Sequence, residues 1–177
     1  LDDNALVQMT NDAKIAHAKK VIHESAPEYE DCPIIASTTY FQAGGDSSDN
    51  YIHTDGEIKK KDLLNLQMYA QEWAKFYYIT GAQLKEALEW QASAYQSPYL
   101  ASSSKWKDER LNELASAGMC PVLSPEWEKW EGLSIFDGVE YVIDPSISPR
   151  YNKAGKLINS SAHRIVSLTH DGSEVKD

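Results

Sequence analysis

Thr80-Gly81-Ala82-Gln83-Leu84-Lys85-Glu86-Ala87-Leu88-Glu89-Trp90 is the stretch with the plainest local physics in this 177-residue chain. Thr80 is an N-cap by type, and Gln83 stands three positions on. That is the spacing of a capping box, in which each side chain satisfies the other residue's backbone N–H. Leu84, Ala87, Leu88 and Gln91 then share one helical face, which predicts a helix running to about Tyr95.

Upstream, Ala74 to Ile79 reads as a strand, and Glu57 to Leu66 as a short helix carrying the basic run Lys59-Lys60-Lys61. Residues 41–50 have neither period and are rich in Gly, Ser, Asn and Asp, the composition of a loop. Ile34-Ile35-Ala36-Ser37-Thr38 reads as a short buried strand. Residues 3–24 predict an amphipathic helix with Leu6, Met9, Ala13, Ala16, Val21 and Ile22 inward. Downstream, residues 96–131 are weakly patterned apart from a helical stretch at Asp108–Ala117 that ends at Gly118. Phe136 to Ile143 alternates as one strand around Asp137-Gly138. Arg164 to Thr169, a turn at Asp171-Gly172, and Ser173-Glu174-Val175 predict a hairpin. Helices and strands mix without a βαβ rhythm, so the expected class is α+β. With no internal repeat and no linker, one domain is expected over residues 1–177.

Composition narrows the function classes. Seventeen basic and 27 acidic residues leave a net charge of −10. That balance argues against gripping a nucleic-acid polymer or an anionic membrane. Five Trp and 10 Tyr within a 42% hydrophobic chain exclude a disordered acidic tail. The longest apolar pieces, such as Phe76-Tyr77-Tyr78-Ile79, are strand-sized, so no membrane insertion is expected. Leu1 is not an initiator Met, and Val175-Lys176-Asp177 reads as a connection between strands, so an excised segment is expected. Cys32 and Cys120 are compatible with one disulfide or none.

The chain offers little catalytic chemistry. His17, His23, His53, His163 and His170 form no metal-ligand motif, no Gly-x-Ser-x-Gly elbow occurs, and the two cysteines make no Cys-x-x-Cys. No catalytic residue and no metal ligand is expected within it. Gly44-Gly45 is the one phosphate-cradle candidate, since two glycines let backbone N–H groups approach an anion. It lacks the Lys of a P-loop. Tyr40, Phe41, Tyr51, Tyr69, Trp73, Tyr95 and Tyr99 are the aromatic resource, and an exposed ring can stack on a nucleobase.

The order of segments resembles the C-terminal domain of the 5'-nucleotidase/2',3'-cyclic phosphodiesterase family, and within it the bifunctional 2',3'-cyclic-nucleotide 2'-phosphodiesterase/3'-nucleotidases. The residues that carry the resemblance are Ala5 to Ala13, Pro33 to Ser37, Tyr40-Phe41-Gln42-Ala43-Gly44-Gly45, Thr80 to Trp90, Phe136 to Pro145, Pro149-Arg150-Tyr151 and His163 to Leu168. They occur in order over nearly the whole chain.

The resemblance implies a division of labour. A separate N-terminal metallophosphoesterase domain would carry two divalent metal ions and activate water, with no cofactor in this chain. This domain would bind the nucleoside or nucleotide between two aromatic rings. Tyr69 is the implied first ring, with Trp73 as the alternative; Phe41, Gly44, Gly45 and Gly132 are implied pocket residues. The second ring of the family lies beyond the last hairpin, so the domain is expected to be truncated at its C-terminal end. Extracellular, periplasmic or cell-wall localisation is implied as well. Relatives place Arg after the Gly-Gly pair where this chain has Asp46-Ser47. That difference keeps a second reading open: a non-catalytic cell-surface binding or adhesion module built on the same fold.

Overall fold

The computed structural model describes residues 5–39, 74–95, 124, 127 and 133–176. The expected loop at 41–50 and the expected helices at 57–66 and 108–117 lie outside the described residues. What is described is α+β: helices with small antiparallel sheets, as the mixed periods predict.

The elements fall into two compact units. The first holds α1 (Ala5–Ser25), a 3-10 turn (Pro27–Tyr29), β1 (Ala36–Thr39) and β2 (Ser134–Asp137). β1 and β2 pair antiparallel from Ala36↔Asp137 to Thr39↔Ser134. α1 buries Val7, Asn11 and Ala18, one stripe at positions i, i+4 and i+11. The expected inward stripe is therefore corrected: Met9 is 40% exposed, and Ala13 and Ala16 face outward. Polar pairing decides the face. Buried Asn11 accepts from the Thr38 hydroxyl at 2.5 Å and donates to the Ile135 carbonyl at 3.3 Å. Lys14 Nζ adds bonds to the Ser37 carbonyl at 2.7 Å and to Thr38 Oγ1 at 2.8 Å. A hydropathy stripe does not register a buried amide that has partners.

The second unit holds α2 (Gly81–Ala92), β3 (Glu140–Ile143), β4 (Ile165–His170) and β5 (Ser173–Glu174). The sheet order is β3-β4-β5, all antiparallel. The capping box forms as expected: Gln83 N donates to Thr80 Oγ1 at 3.2 Å, and Thr80 N donates to Gln83 Oε1 at 2.9 Å. α2 stops at Ala92, one turn short of Tyr95. Its inward face carries Leu84 and Leu88, each 2% exposed, and the helix packs on β4, whose Ile165 and Leu168 are buried as well. Burying each such leucine contributes about 2 kcal/mol. Trp127 is fully buried and meets Trp90 edge-on, with ring centroids 6.5 Å apart.

The β4–β5 hairpin appears with its predicted turn. Asp171 at φ 48 and Gly172 at φ 73 are the two left-handed positions of a type I′ turn. Two other strand expectations are corrected. Phe136–Ile143 is not one strand: Gly138 turns at φ 88, and the halves, β2 and β3, pair in different sheets. Ala74–Ile79 adopts neither helix nor strand and is exposed throughout, with Tyr77 at 76% and Tyr78 at 75%. β-rich composition specifies a strand only when a partner edge is available, and no described strand pairs with this run.

Candidate functional site

The six implied pocket residues, Phe41, Gly44, Gly45, Tyr69, Trp73 and Gly132, all lie outside the described residues. The described chain shows instead a polar frame in the second unit, where α2 is tied to the stretch that joins β3 to β4.

Glu89 lies fully buried on α2. Its Oε2 accepts the backbone N–H of Arg164 at 2.8 Å, and its Oε1 accepts that of Ile165 at 3.0 Å. His163 Nδ1 stands 3.7 Å from the same carboxylate. Arg164, 1% exposed, turns its guanidinium onto main-chain carbonyls: Ala92 at 2.7 Å, Tyr95 at 2.6 Å, Ile147 at 2.7 Å and Pro145 at 3.4 Å. Ala92 is the last residue of α2, whose closing carbonyls have no partner within the helix and favour a cation, and Tyr95 lies three residues beyond it. Burial pushes the Arg164 pKa down, opposed by the charges of Glu89 and Asp144.

One turn earlier on α2, Glu86 forms a fork-on-fork pair with Arg150 at 2.8 and 2.9 Å and accepts the Tyr151 hydroxyl. Arg150 Nη1 also donates to the Ser160 and Ala162 carbonyls. The hydrogen bond from Arg150 holds the Glu86 carboxyl below the ordinary range, with desolvation acting the other way. The Tyr151 hydroxyl is pushed up, first by its bond to Glu86 and then by desolvation. Tyr151 N donates to Ser93 Oγ at 3.0 Å, and Trp90 Nε1 to the Asn152 carbonyl at 3.2 Å. Asp144, bonded by the Ser146 hydroxyl and backbone N–H, is held below the ordinary carboxyl range.

This frame holds and orients. Both guanidinium groups are occupied by protein partners, so neither Arg150 nor Arg164 offers a free face to a phosphate. Among the described residues no group of three or more His, Cys, Asp or Glu side chains gathers to hold a metal. No described helix is long and apolar enough to cross a membrane. Sequence reasoning passed over Glu86, Glu89, Arg150 and Arg164 as ties on α2. The signal was present in Glu89, a carboxylate beside Leu88 on an otherwise apolar face, and in the Arg150-Tyr151 and His163-Arg164 pairs.

A family model described as "5'-nucleotidase, C-terminal domain" matches residues 2–177. Among curated proteins, the chain is 26% identical over 176 residues to the trifunctional nucleotide phosphoesterase protein YfkN of Bacillus subtilis, covering 98% of this chain and 11% of that protein. It is 29% identical over 189 residues to the 2',3'-cyclic-nucleotide 2'-phosphodiesterase/3'-nucleotidase of Haemophilus influenzae, covering 99% of this chain and 25% of that one. The protein of the same name in Yersinia enterocolitica is 26% identical over 180 residues, with the same coverage on both sides. The chain thus spans a quarter or less of the length of these relatives. No solved structure matches.

Proposed function

Because the chain belongs to the family of 5'-nucleotidase C-terminal domains, we propose that it is the nucleotide-binding part of a phosphoesterase acting on 2',3'-cyclic nucleotides and 3'-nucleotides. The observation that carries this reading is the match of residues 2–177, end to end, to a domain borne by relatives that are nucleotide phosphoesterases by name. Tyr69, with Trp73 as alternative, stacks on the base. Phe41 and Gly132 wall the pocket, and the backbone of Gly44 and Gly45 lines it. Stacking on one ring contributes about 1–3 kcal/mol and needs only an exposed face, so it tolerates several bases.

Hydrolysis belongs to the remainder of the parent chain, a metallophosphoesterase domain holding two divalent ions that supply a water nucleophile and charge neutralisation. This chain's own residues bind and orient. The Glu86–Arg150–Tyr151 and Glu89–Arg164 ties fix α2. Such an enzyme works outside the cytoplasm, in keeping with the localisation that the resemblance implies. Equilibrium titration of the full-length parent with adenosine and 3'-AMP tests the reading; absence of saturable binding to either overturns it.

A further inference from the structure

Residues 74–79 join neither a helix nor a strand, and every one of them is exposed. Four in a row are apolar or aromatic: Phe76 is 49% exposed, Tyr77 76%, Tyr78 75% and Ile79 44%. The Phe76 ring is held in part by His17, their centroids 6.1 Å apart. The Tyr77 ring projects into solvent. Among the described residues, Ala74, Lys75, Phe76, Tyr77 and Ile79 make no main-chain hydrogen bond. Order resumes at once beyond the run, where Thr80 is bonded to Gln83 in the capping box.

An endopeptidase takes its substrate as an extended strand. It pairs with the strand's N–H and C=O groups and draws one side chain into a pocket. Most bonds of a folded chain meet those conditions only after local opening, so their cleavage follows the small open population. Around Tyr77 nothing has to open: the backbone groups leading up to it are unpaired, and its ring is already in water. We propose that the Tyr77–Tyr78 bond is a built-in cleavage site for an endopeptidase that anchors an aromatic ring just before the bond it cuts. Water adds across the bond. The Tyr77 carbonyl carbon takes the hydroxyl and becomes a carboxylate, and the Tyr78 nitrogen takes the proton and becomes a new amino terminus. Tyr77 is the anchor rather than Phe76, whose ring is partly engaged by His17. The cut falls ahead of Thr80 and leaves the capping box whole.

The test times chymotrypsin cleavage of the purified 177-residue chain against that of a synthetic peptide of residues 74–81, each cut read by mass. Scission after Tyr77 is expected to have a kcat/KM within about tenfold of the peptide's. A rate further below the peptide's overturns the proposal, because the run is then covered or held. Tyr151 is the internal control, since its hydroxyl bonds Glu86 and its N–H bonds Ser93 Oγ. Scission after Tyr151 is expected to be at least about 100-fold slower than after Tyr77. Equal rates at the two bonds also overturn the proposal, because the chain then opens as a whole before it is cut. Tyr77→Ser is expected to slow cleavage after residue 77 at least about tenfold with the rate after Tyr151 unaltered, and an unslowed cut there contradicts the anchor.

Discussion

Glu89 and Arg164 are joined through the main chain rather than by a side-chain ion pair: the buried carboxylate accepts the Arg164 backbone N–H at 2.8 Å. The guanidinium of the same arginine points away to the carbonyl of Ala92, which ends α2, and to that of Tyr95, three residues on. One residue of the segment before β4 thus meets the last turn of α2 twice, at Glu89 and at Ala92.

Glu89→Ala strands the N–H groups of Arg164 and Ile165 in a dry site. Each unsatisfied buried donor costs about 1–3 kcal/mol, so a loss of about 3 kcal/mol in unfolding free energy is expected from urea titration. A loss under about 0.5 kcal/mol would show that water or a shifted backbone takes over both donors.

Glu86 gives the fold an acid-sensitive tie. Its carboxyl is held below the ordinary range chiefly by the bond from Arg150. A group with a depressed folded pKa contributes stability fully above its unfolded value, ~4.3 for Glu, and loses it as pH falls through the lower folded value. Glu86→Gln should therefore be less stable than the unaltered chain near neutrality, and the two should converge on acidification. A constant gap across that acid range would show that the charge of Glu86 contributes nothing.

The Asp171-Gly172 turn isolates backbone strain from packing. A Cβ at Gly172 meets nothing within 4 Å, yet its φ is +73. Gly172→Ala should cost about 1 kcal/mol through conformation alone, read as a lower thermal midpoint with the hairpin retained. No change would mean that the turn relaxes to another type.

These elements also mark what was legible in advance. The capping box, the hairpin turn and the α+β class follow from short-range chemistry, and the residues that specify them lie within four positions of one another. The inward face of α1 was not legible, because Asn11 is buried by partners on β1 and β2 rather than by its hydropathy. Gly138 was read as lying inside one strand, yet it separates two sheets; a glycine in an alternating run is compatible with both. The Glu86–Arg150 and Glu89–Arg164 ties join residues 64 and 75 positions apart, beyond any local pattern. The expected pocket residues Tyr69, Trp73, Phe41 and Gly132 rest on resemblance, and Gly44 and Gly45 on resemblance and on the openness of a Gly-Gly pair.

The purified 177-residue chain should not hydrolyse 3'-AMP or 2',3'-cyclic AMP with any added divalent metal. Phosphate release assayed with magnesium, manganese, cobalt and zinc checks this. Metal-dependent turnover that survives repurification would place the catalytic centre inside this chain.

The central claim, that this domain binds the nucleoside through an aromatic ring, is tested most directly by adenosine titration of the full-length parent and its Tyr69→Ala variant, followed by tryptophan fluorescence. Saturable quenching by the parent and an affinity about tenfold weaker in the variant, the equivalent of ~1.4 kcal/mol of stacking, is the predicted result. Equal affinities for Tyr69→Ala and for Trp73→Ala alongside the parent would contradict it.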